Sequence, residues 1–229
     1  MAERSLFHRR RSPGTQTVAV IGLGRFGTAV AETLDSLGHH VLGIDESPPR
    51  VAALRDTLDH VVEADSTDPL ALEQVGVKEL DRAVVAIGAD VEASILTAAA
   101  LVDLGLGDIW AKAMTAAHAR ILERVGAHHV VFPEAQMGER IAHLVAGRML
   151  EFLPLDAGFA LVETHAPPSV LGRSLGELGV RGRYGITVVC VKPAGGKFTY
   201  ATSDTVLRQG DVIVVAGETS SAEGFAALD

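Results

Sequence analysis

The sequence predicts an α/β protein: a Rossmann-like, doubly wound parallel sheet with a small C-terminal α+β lobe. Apolar, β-branched runs alternate with helical patterns from residue 17 to residue 132, the rhythm of β-α-β units joined by right-handed crossovers. A glycine turn, Gly22-Leu23-Gly24-Arg25-Phe26-Gly27, sits between the first apolar run and the first helical one. Past residue 154 the chain changes character: Pro154, Pro167 and Pro168 punctuate it and the apolar runs shorten.

The elements follow in order. Thr17 to Ile21 reads as a buried strand, and Phe26 to Leu37 as a helix stopped by Gly38. Val41 to Ile44 is the second strand. Pro48 and Pro49 suit the first turn of a helix running to about Leu58. His60 to Ala64 is a third strand, and Pro69 opens a short helix. Ala83 to Ile87 is a strand stopped by Gly88, followed by a helix over Glu92 to Leu104. Ile109 to Lys112 is a strand, Ala116 to Val125 a helix closed by Gly126, and Val130 to Phe132 a strand cut off by Pro133. Ile141, Leu144, Val145 and Met149 recur at three- and four-residue spacing, which predicts one amphipathic helix over Gln136 to Phe152. Its apolar stripe has two uses open to it: covering its own domain, or crossing to a second subunit. Phe159 to Thr164, Thr187 to Lys192 and Val212 to Ala216 read as strands, Leu171 to Leu178 as a short helix, and Gly195-Gly196 as a hairpin turn. The expected organisation is a flexible basic tail over 1–15, a Rossmann nucleotide-binding domain over 16–135, a crossover helix and linker over 136–156, and the small lobe over 157–229.

Composition narrows the function. The 229 residues are 48% hydrophobic and only 4% aromatic, the Ala/Val/Leu/Ile diet of a parallel sheet covered by helices. A formal net charge of -9 argues against a nucleic-acid partner, which wants a basic face. Arg4, Arg9, Arg10 and Arg11 read as a solvated tail, with contact to acidic lipid or a partner as the sharper alternative. The single cysteine, Cys190, lies in an apolar run and reads as buried filler. One cysteine fits a reducing cytoplasm. No stretch reaches the roughly 20 apolar residues that span a bilayer, and no apolar segment follows the N-terminal charges as a signal peptide requires. Any work at a membrane goes through a partner.

The glycine turn carries the chemistry. It follows an apolar strand and opens a helix, the context G-x-G-x-x-G must have to bind a dinucleotide or nucleotide. Gly22 permits the tight turn, Gly24 lets the backbone approach a pyrophosphate, and Gly27 lets helix and strand pack closely, with helix N–H groups aimed at the phosphates. Asp45 ends the next strand, 18 residues beyond Gly27, close to the roughly 20 of the fingerprint. A carboxylate there accepts both ribose hydroxyls and repels a 2′-phosphate, so NADP is disfavoured. The carboxyl ends of the other strands place Asp65, Ser66, Ile87, Gly88 and Lys112 around the same cleft. Asp65 either faces the adenine edge or caps the helix at Pro69. Lys112 either nears the phosphates or is an exposed strand-end lysine. Arg25 puts a guanidinium fork inside the phosphate loop, suited to a further phosphate. Glu134 either holds a cation that touches phosphate oxygens or is a first-turn helix acid. His39-His40 and His128-His129 are adjacent pairs without zinc spacing.

With these residues in order, the sequence resembles the RCK (regulator of K+ conductance) family, of the single-unit Ktr/Trk type. The resemblance rests on Val18-Ala-Val-Ile-Gly-Leu-Gly-Arg-Phe-Gly27, Val84-Val-Ala-Ile-Gly88, Ile109-Trp-Ala-Lys112, Leu122-Glu-Arg-Val-Gly-Ala127, Pro133-Glu-Ala-Gln-Met137 and Gly210-Asp-Val-Ile-Val-Val-Ala-Gly217, and runs from about Gln16 to near Ala226. It implies a cytoplasmic regulatory subunit rather than an enzyme, dimeric and assembled as an octameric ring, held at the inner face of the membrane by a potassium-translocating partner subunit. It implies switching by ATP and ADP, with NAD or NADH as the alternative ligand and magnesium or calcium accompanying ATP. By position, Arg25 would meet the γ-phosphate, Asp45 the ribose and Lys112 the phosphate region, while Glu134 would face a cation or a neighbouring nucleotide. The C-terminal lobe would dimerise and, in some members, binds cyclic di-AMP. Leu175, Leu178 and Arg181 partly match that second effector site, whereas Gly176, Gly179 and Gly182 depart from its apolar and amide residues. Two rival readings share the glycine loop and Asp45: an NAD(H)-binding redox sensor, and an NAD-dependent dehydrogenase. Against the dehydrogenase, the region after Ala157 holds one histidine, His165, and no acid–base pair.

Overall fold

The computed structural model describes residues 14–229, so the basic run from Arg4 to Arg11 lies outside the described residues. The chain divides into two compact units between Pro133 and Glu134. In the first, strands β1 (Thr17–Ile21), β2 (His40–Asp45), β3 (His60–Glu63), β4 (Arg82–Val85), β5 (Ile109–Lys112) and β6 (His129–Val131) form one sheet ordered β3-β2-β1-β4-β5-β6. Every neighbouring pair is parallel. The order reverses between β1 and β4, the switch point at which doubly wound sheets open a crevice.

The period-two alternation of the strands decides which face each residue serves. Ala19 and Ile21 join a core completed by Leu72 of α3 (Pro69–Gln74), Leu101 of α4 (Val91–Asp103) and Leu122 of α5 (Ala116–Val125). Val18 and Val20 join a second core with Ala31 of α1 (Arg25–Ser36) and Leu54 of α2 (Pro48–Leu54). Residues on both faces are buried, so β1 reads as an unbroken apolar run. The helix expected to reach Leu58 stops at Leu54, and Leu58 packs into the second core from a turn.

The second unit takes in nearly all of α6 (Pro133–Ala146), then β7 (Met149–Asp156), β8 (Phe159–His165), α7 (Leu175–Leu178), α8 (Val180–Tyr184), β9 (Ile186–Lys192), β10 (Thr199–Tyr200), β11 (Val212–Glu218) and α9 (Thr219–Ala226). Its sheet is antiparallel, ordered β10-β9-β11-β8-β7. The hairpin expected at Gly195-Gly196 is present, joining β9 to β10.

Three expectations for this unit are corrected. The helix predicted over Gln136 to Phe152 ends at Ala146, and residues 149–156 are an edge strand, not a linker. A bulge between Met149 and Glu151 puts the buried Met149 and Phe152 three residues apart, the spacing of a helix inside a strand. The helix predicted over Leu171 to Leu178 is only Leu175–Leu178, started by a reciprocal capping box between Ser174 and Glu177. The sequence reading also missed α8 and α9.

Polar contacts fasten α6 to its own unit. Arg140 pairs with Glu151 of β7 through two guanidinium nitrogens, and those bonds hold the Glu151 carboxyl below the ordinary carboxylate range. His143 bonds to Glu223 of α9 and stacks on Phe152 with ring centroids 3.9 Å apart. Leu144 packs on the core of this unit, while Met137, Ile141 and Val145 are exposed. Phe152, 2% exposed, therefore supports both the sheet and the helix. Phe152→Ala is expected to lower the stability of this unit by about 3–5 kcal/mol, read by calorimetric unfolding.

Candidate nucleotide site

The glycine turn bridges β1 and α1 over the switch point. Gly22 has φ +93°, a left-handed conformation that side chains resist, and a Cβ there would meet Ile87 Cγ1 at 3.0 Å and Ile87 N at 3.1 Å. At Gly27 a Cβ would land on the carbonyl oxygen of Gly22 and 3.0 Å from Ala86 Cβ. Nothing lies within 4 Å of a Cβ built at Gly24, so the space beside that glycine is open. The turn is tied to the next strand at two points. Gly22 N donates to Ile44 O at 2.8 Å, and Leu23 N donates to Asp45 Oδ2 at 2.6 Å.

The helix starts differ in a way that matters. Asp68, Asp90 and Thr115 accept backbone bonds at the N-termini of α3, α4 and α5. At α2 the first two helical residues are prolines, which have no N–H to satisfy. At α1 the N-cap is Gly24, and no side chain caps the helix. Its first N–H groups and the positive end of its dipole are left for an anion.

Asp45 is 4% exposed. Besides Leu23 N it accepts from Ser47 N at 2.8 Å and from Arg50 Nη1 at 3.3 Å. Lys112 is 7% exposed. Its Nζ lies 5.5 Å from the centroid of the Phe26 ring, and a Cβ at Gly88 would sit 3.1 Å from it. Phe26, Gly88 and Lys112 thus meet at the carboxyl ends of β4 and β5, and Gly22 meets Ile87. The exposed strand-end reading of Lys112 does not hold. Ser66 is buried, its hydroxyl 2.8 Å from Thr97 Oγ1. Asp65 is exposed and accepts from Thr67 N at 2.9 Å and Thr67 Oγ1 at 2.7 Å. Those bonds, the hydroxyl's first, hold its carboxyl below the usual range. The cap at Pro69 is Asp68, so the capping alternative for Asp65 is corrected. Arg25 is the first residue of α1, exposed and without an ion-pair or hydrogen-bond partner among the described residues.

Two other expected residues belong to the second unit. Glu134 is an exposed first-turn residue of α6, in the second unit. Among the described residues no three His, Cys, Asp or Glu side chains gather as a metal ion held by protein ligands alone requires. Arg181 lies on α8 with Nε donating to Thr187 Oγ1 at 3.1 Å. Leu178 is buried in the core of that unit. Arg50 was missed by the sequence reading; its only signal is its position five residues after Asp45.

Residues 18–133 match the family model described as the TrkA-N domain, and residues 159–228 that of the TrkA-C domain. The chain belongs to the RCK family, of the Ktr/Trk type. This RCK chain is 36% identical over 208 residues to Ktr system potassium uptake protein C of Bacillus subtilis, covering 90% of this chain and 94% of that one. It is 34% identical over 205 residues to Ktr system potassium uptake protein A of Vibrio alginolyticus, covering 89% and 93%. Among solved structures, the GsuK RCK domain shares the fold with a TM-score of 0.65 at 19% identity, over 95% of this chain and 49% of that one. The GsuK channel bound to NAD gives 0.65 at 20% identity, over 96% and 41%. The RCK chain here thus spans half or less of those GsuK chains. Among its described residues no helix is long and apolar enough to cross a membrane.

Two outcomes test this geometry. Gly27→Ala is expected to cost about 3 kcal/mol or more, at the upper end for overpacking because the obstacle is backbone; calorimetric unfolding reads it. His118, 2% exposed, accepts from Met114 N through Nδ1 at 3.4 Å, and its buried Nε2 has no partner among the described residues. Burial pushes its pKa down. Below its ordinary value of about 6.5 the unfolded chain takes up a proton that the folded one refuses, so stability falls as pH falls. His118→Gln is expected to flatten that loss between about pH 7 and about pH 5.5, measured by denaturant unfolding.

Proposed function

We propose that this chain is the nucleotide-binding regulatory subunit of a bacterial potassium uptake system, acting on a membrane potassium-translocating subunit and switched by ATP and ADP. The observation that carries the nucleotide half of this reading is the uncapped N-terminus of α1 behind an open Gly24, with the buried Asp45 bonded to the same turn. The relatives' own names, Ktr system potassium uptake proteins C and A, support the transport half. The subunit itself carries out no chemical step.

The residues take these roles. The N–H groups of α1 and Gly22, Gly24 and Gly27 receive the phosphates shared by both nucleotides, with Phe26 packed beside Lys112. Asp45 receives the ribose, and Asp65, Ser66, Ile87 and Gly88 border the adenosine end. Lys112 supplies positive charge near the phosphates. Arg25, whose guanidinium has no partner among the described residues, reads the terminal phosphate. A ligand shifts a conformational equilibrium only by its difference in affinity for the two states, so the ATP/ADP switch works through groups near that phosphate. The exposed Met137, Ile141 and Val145 of α6 suit contact with a second copy in a dimer and a larger ring.

A second reading keeps the site and changes the ligand. The GsuK channel bound to NAD shares this fold, and the Asp45 carboxylate suits the ribose of NAD or NADH equally well; the chain would then be a redox sensor. Calorimetric titration with ATP, ADP, NAD and NADH, with and without magnesium or calcium, separates the two. On the first reading ATP and ADP bind, and Arg25→Ala lowers ATP affinity by about tenfold or more, as loss of a charge-assisted bond does, while ADP changes little. Binding of NADH without ATP or ADP sinks the terminal-phosphate switch. An unchanged ATP-to-ADP ratio in Arg25→Ala removes Arg25 from it.

A further inference from the structure

Arg50 sits at the third position of α2, with its side chain 56% exposed and Nη1 3.3 Å from the Oδ2 of Asp45, whose side chain is 2% exposed. An ionised carboxylate offers about four lone-pair positions. Leu23 N takes one on Oδ2, Ser47 N takes one on Oδ1, and Arg50 takes the second on Oδ2. A ribose diol donates two hydrogen bonds and finds one position left. One bond must yield, and the three are not equal. The amides of Leu23 and Ser47 are fixed by the turn and by the end of β2, whereas the guanidinium is mostly in solvent on a flexible stem.

We infer that Arg50 is a specificity-determining residue at the ribose end of this site. It is the displaceable counter-ion of Asp45, and it offsets the rejection of a 2′-phosphate that a lone acid would impose. When a diol takes its place on Oδ2, the guanidinium stays within its own side chain's reach of the 2′ oxygen, with a fork that fits phosphate. Asp45 and Arg50 together carry no net charge, so a 2′-phosphate approaching them meets a dipole rather than an anion. The ligand class is an adenosine nucleotide with either a free or a phosphorylated 2′ position. This inference rests on the nucleotide reading above.

The test is calorimetric titration of the full chain and of Arg50→Met with two pairs of ligands that differ only by a 2′-phosphate: AMP with adenosine 2′,5′-bisphosphate, and NADH with NADPH. The wild type is expected to bind both members of at least one pair. Arg50→Met is expected to widen the preference for the diol member by about tenfold or more, the loss of one bond to a charged group. Arg50→Lys is expected to fall between them. Arg50→Met keeps the bonds from Leu23 and Ser47 to Asp45, and an unchanged unfolding temperature confirms that the turn is intact. Equal preference in wild type and Arg50→Met overturns the inference, as does a wild type that binds diols but neither 2′-phosphorylated ligand. If none of the four ligands binds, and ATP and ADP do not bind either, the nucleotide reading falls and Arg50 falls with it.

Discussion

The first unit depends on one close approach of backbone to backbone. The carbonyl of Gly22 occupies the space where residue 27 would carry its Cβ, so the chain can leave β1, turn and re-enter as α1 only with glycine at position 27. Close packing is unforgiving at such a crossing, because neither partner can change rotamer. The positive φ at Gly22 aims the chain into that turn. The bonds from Gly22 to Ile44 and from Leu23 to Asp45 then hold it against the end of β2. Everything the site offers hangs on this arrangement: the direction of α1, its free N–H groups, and the placing of a buried carboxylate beside them.

Much of that was legible in the sequence because the constraints are local. β1, β5 and α5 have the bounds the pattern predicts, since each strand is an apolar run closed by a polar or breaking residue and α5 has its stop at Gly126. The glycines and Asp45 were legible for a different reason: backbone crowding and buried charge admit few residue types, so those types carry position. Arg50 was not legible. Its role depends on the third-residue geometry of α2 and on a carboxylate already sharing its lone pairs, and neither is written in spacing. The two alternatives for Asp65 stayed open in the sequence because Asp68, three residues on, takes the cap, and Asx geometry chooses among neighbouring aspartates only in three dimensions.

The second unit was less legible because its elements are short and its strands irregular. β7 hides behind a bulge that gives a strand the three-residue spacing of a helix. The true end of α6 was marked by Gly147, where a Cβ would meet Met149 Cε at 2.7 Å and His143 O at 3.2 Å. A chain that turns sharply there places Phe152 under His143, and the stack, the Arg140–Glu151 pair and the His143–Glu223 bond follow. Pattern reading sees one periodicity at a time. Here two elements of different period meet with their apolar residues in phase, and only the tertiary contacts separate them.

The site also separates affinity from discrimination. On the nucleotide reading, the α1 N–H groups and Asp45 touch what ATP, ADP and NAD share, a diphosphate and an adenosine ribose. Contacts made equally to every ligand tighten the binding of all of them without distinguishing one from another, however strong they are. Selectivity therefore has to come from side chains at the two ends of the shared core. On that reading Arg25 stands at the phosphate end, exposed and unpaired among the described residues; Arg50 stands at the ribose end, mostly exposed and bonded to Asp45. Both are flexible cations at the rim of a rigid, buried cradle. On the proposed reading, that division lets one scaffold keep its crossing, its sheet and its carboxylate unchanged while rim residues decide which nucleotide the chain answers to.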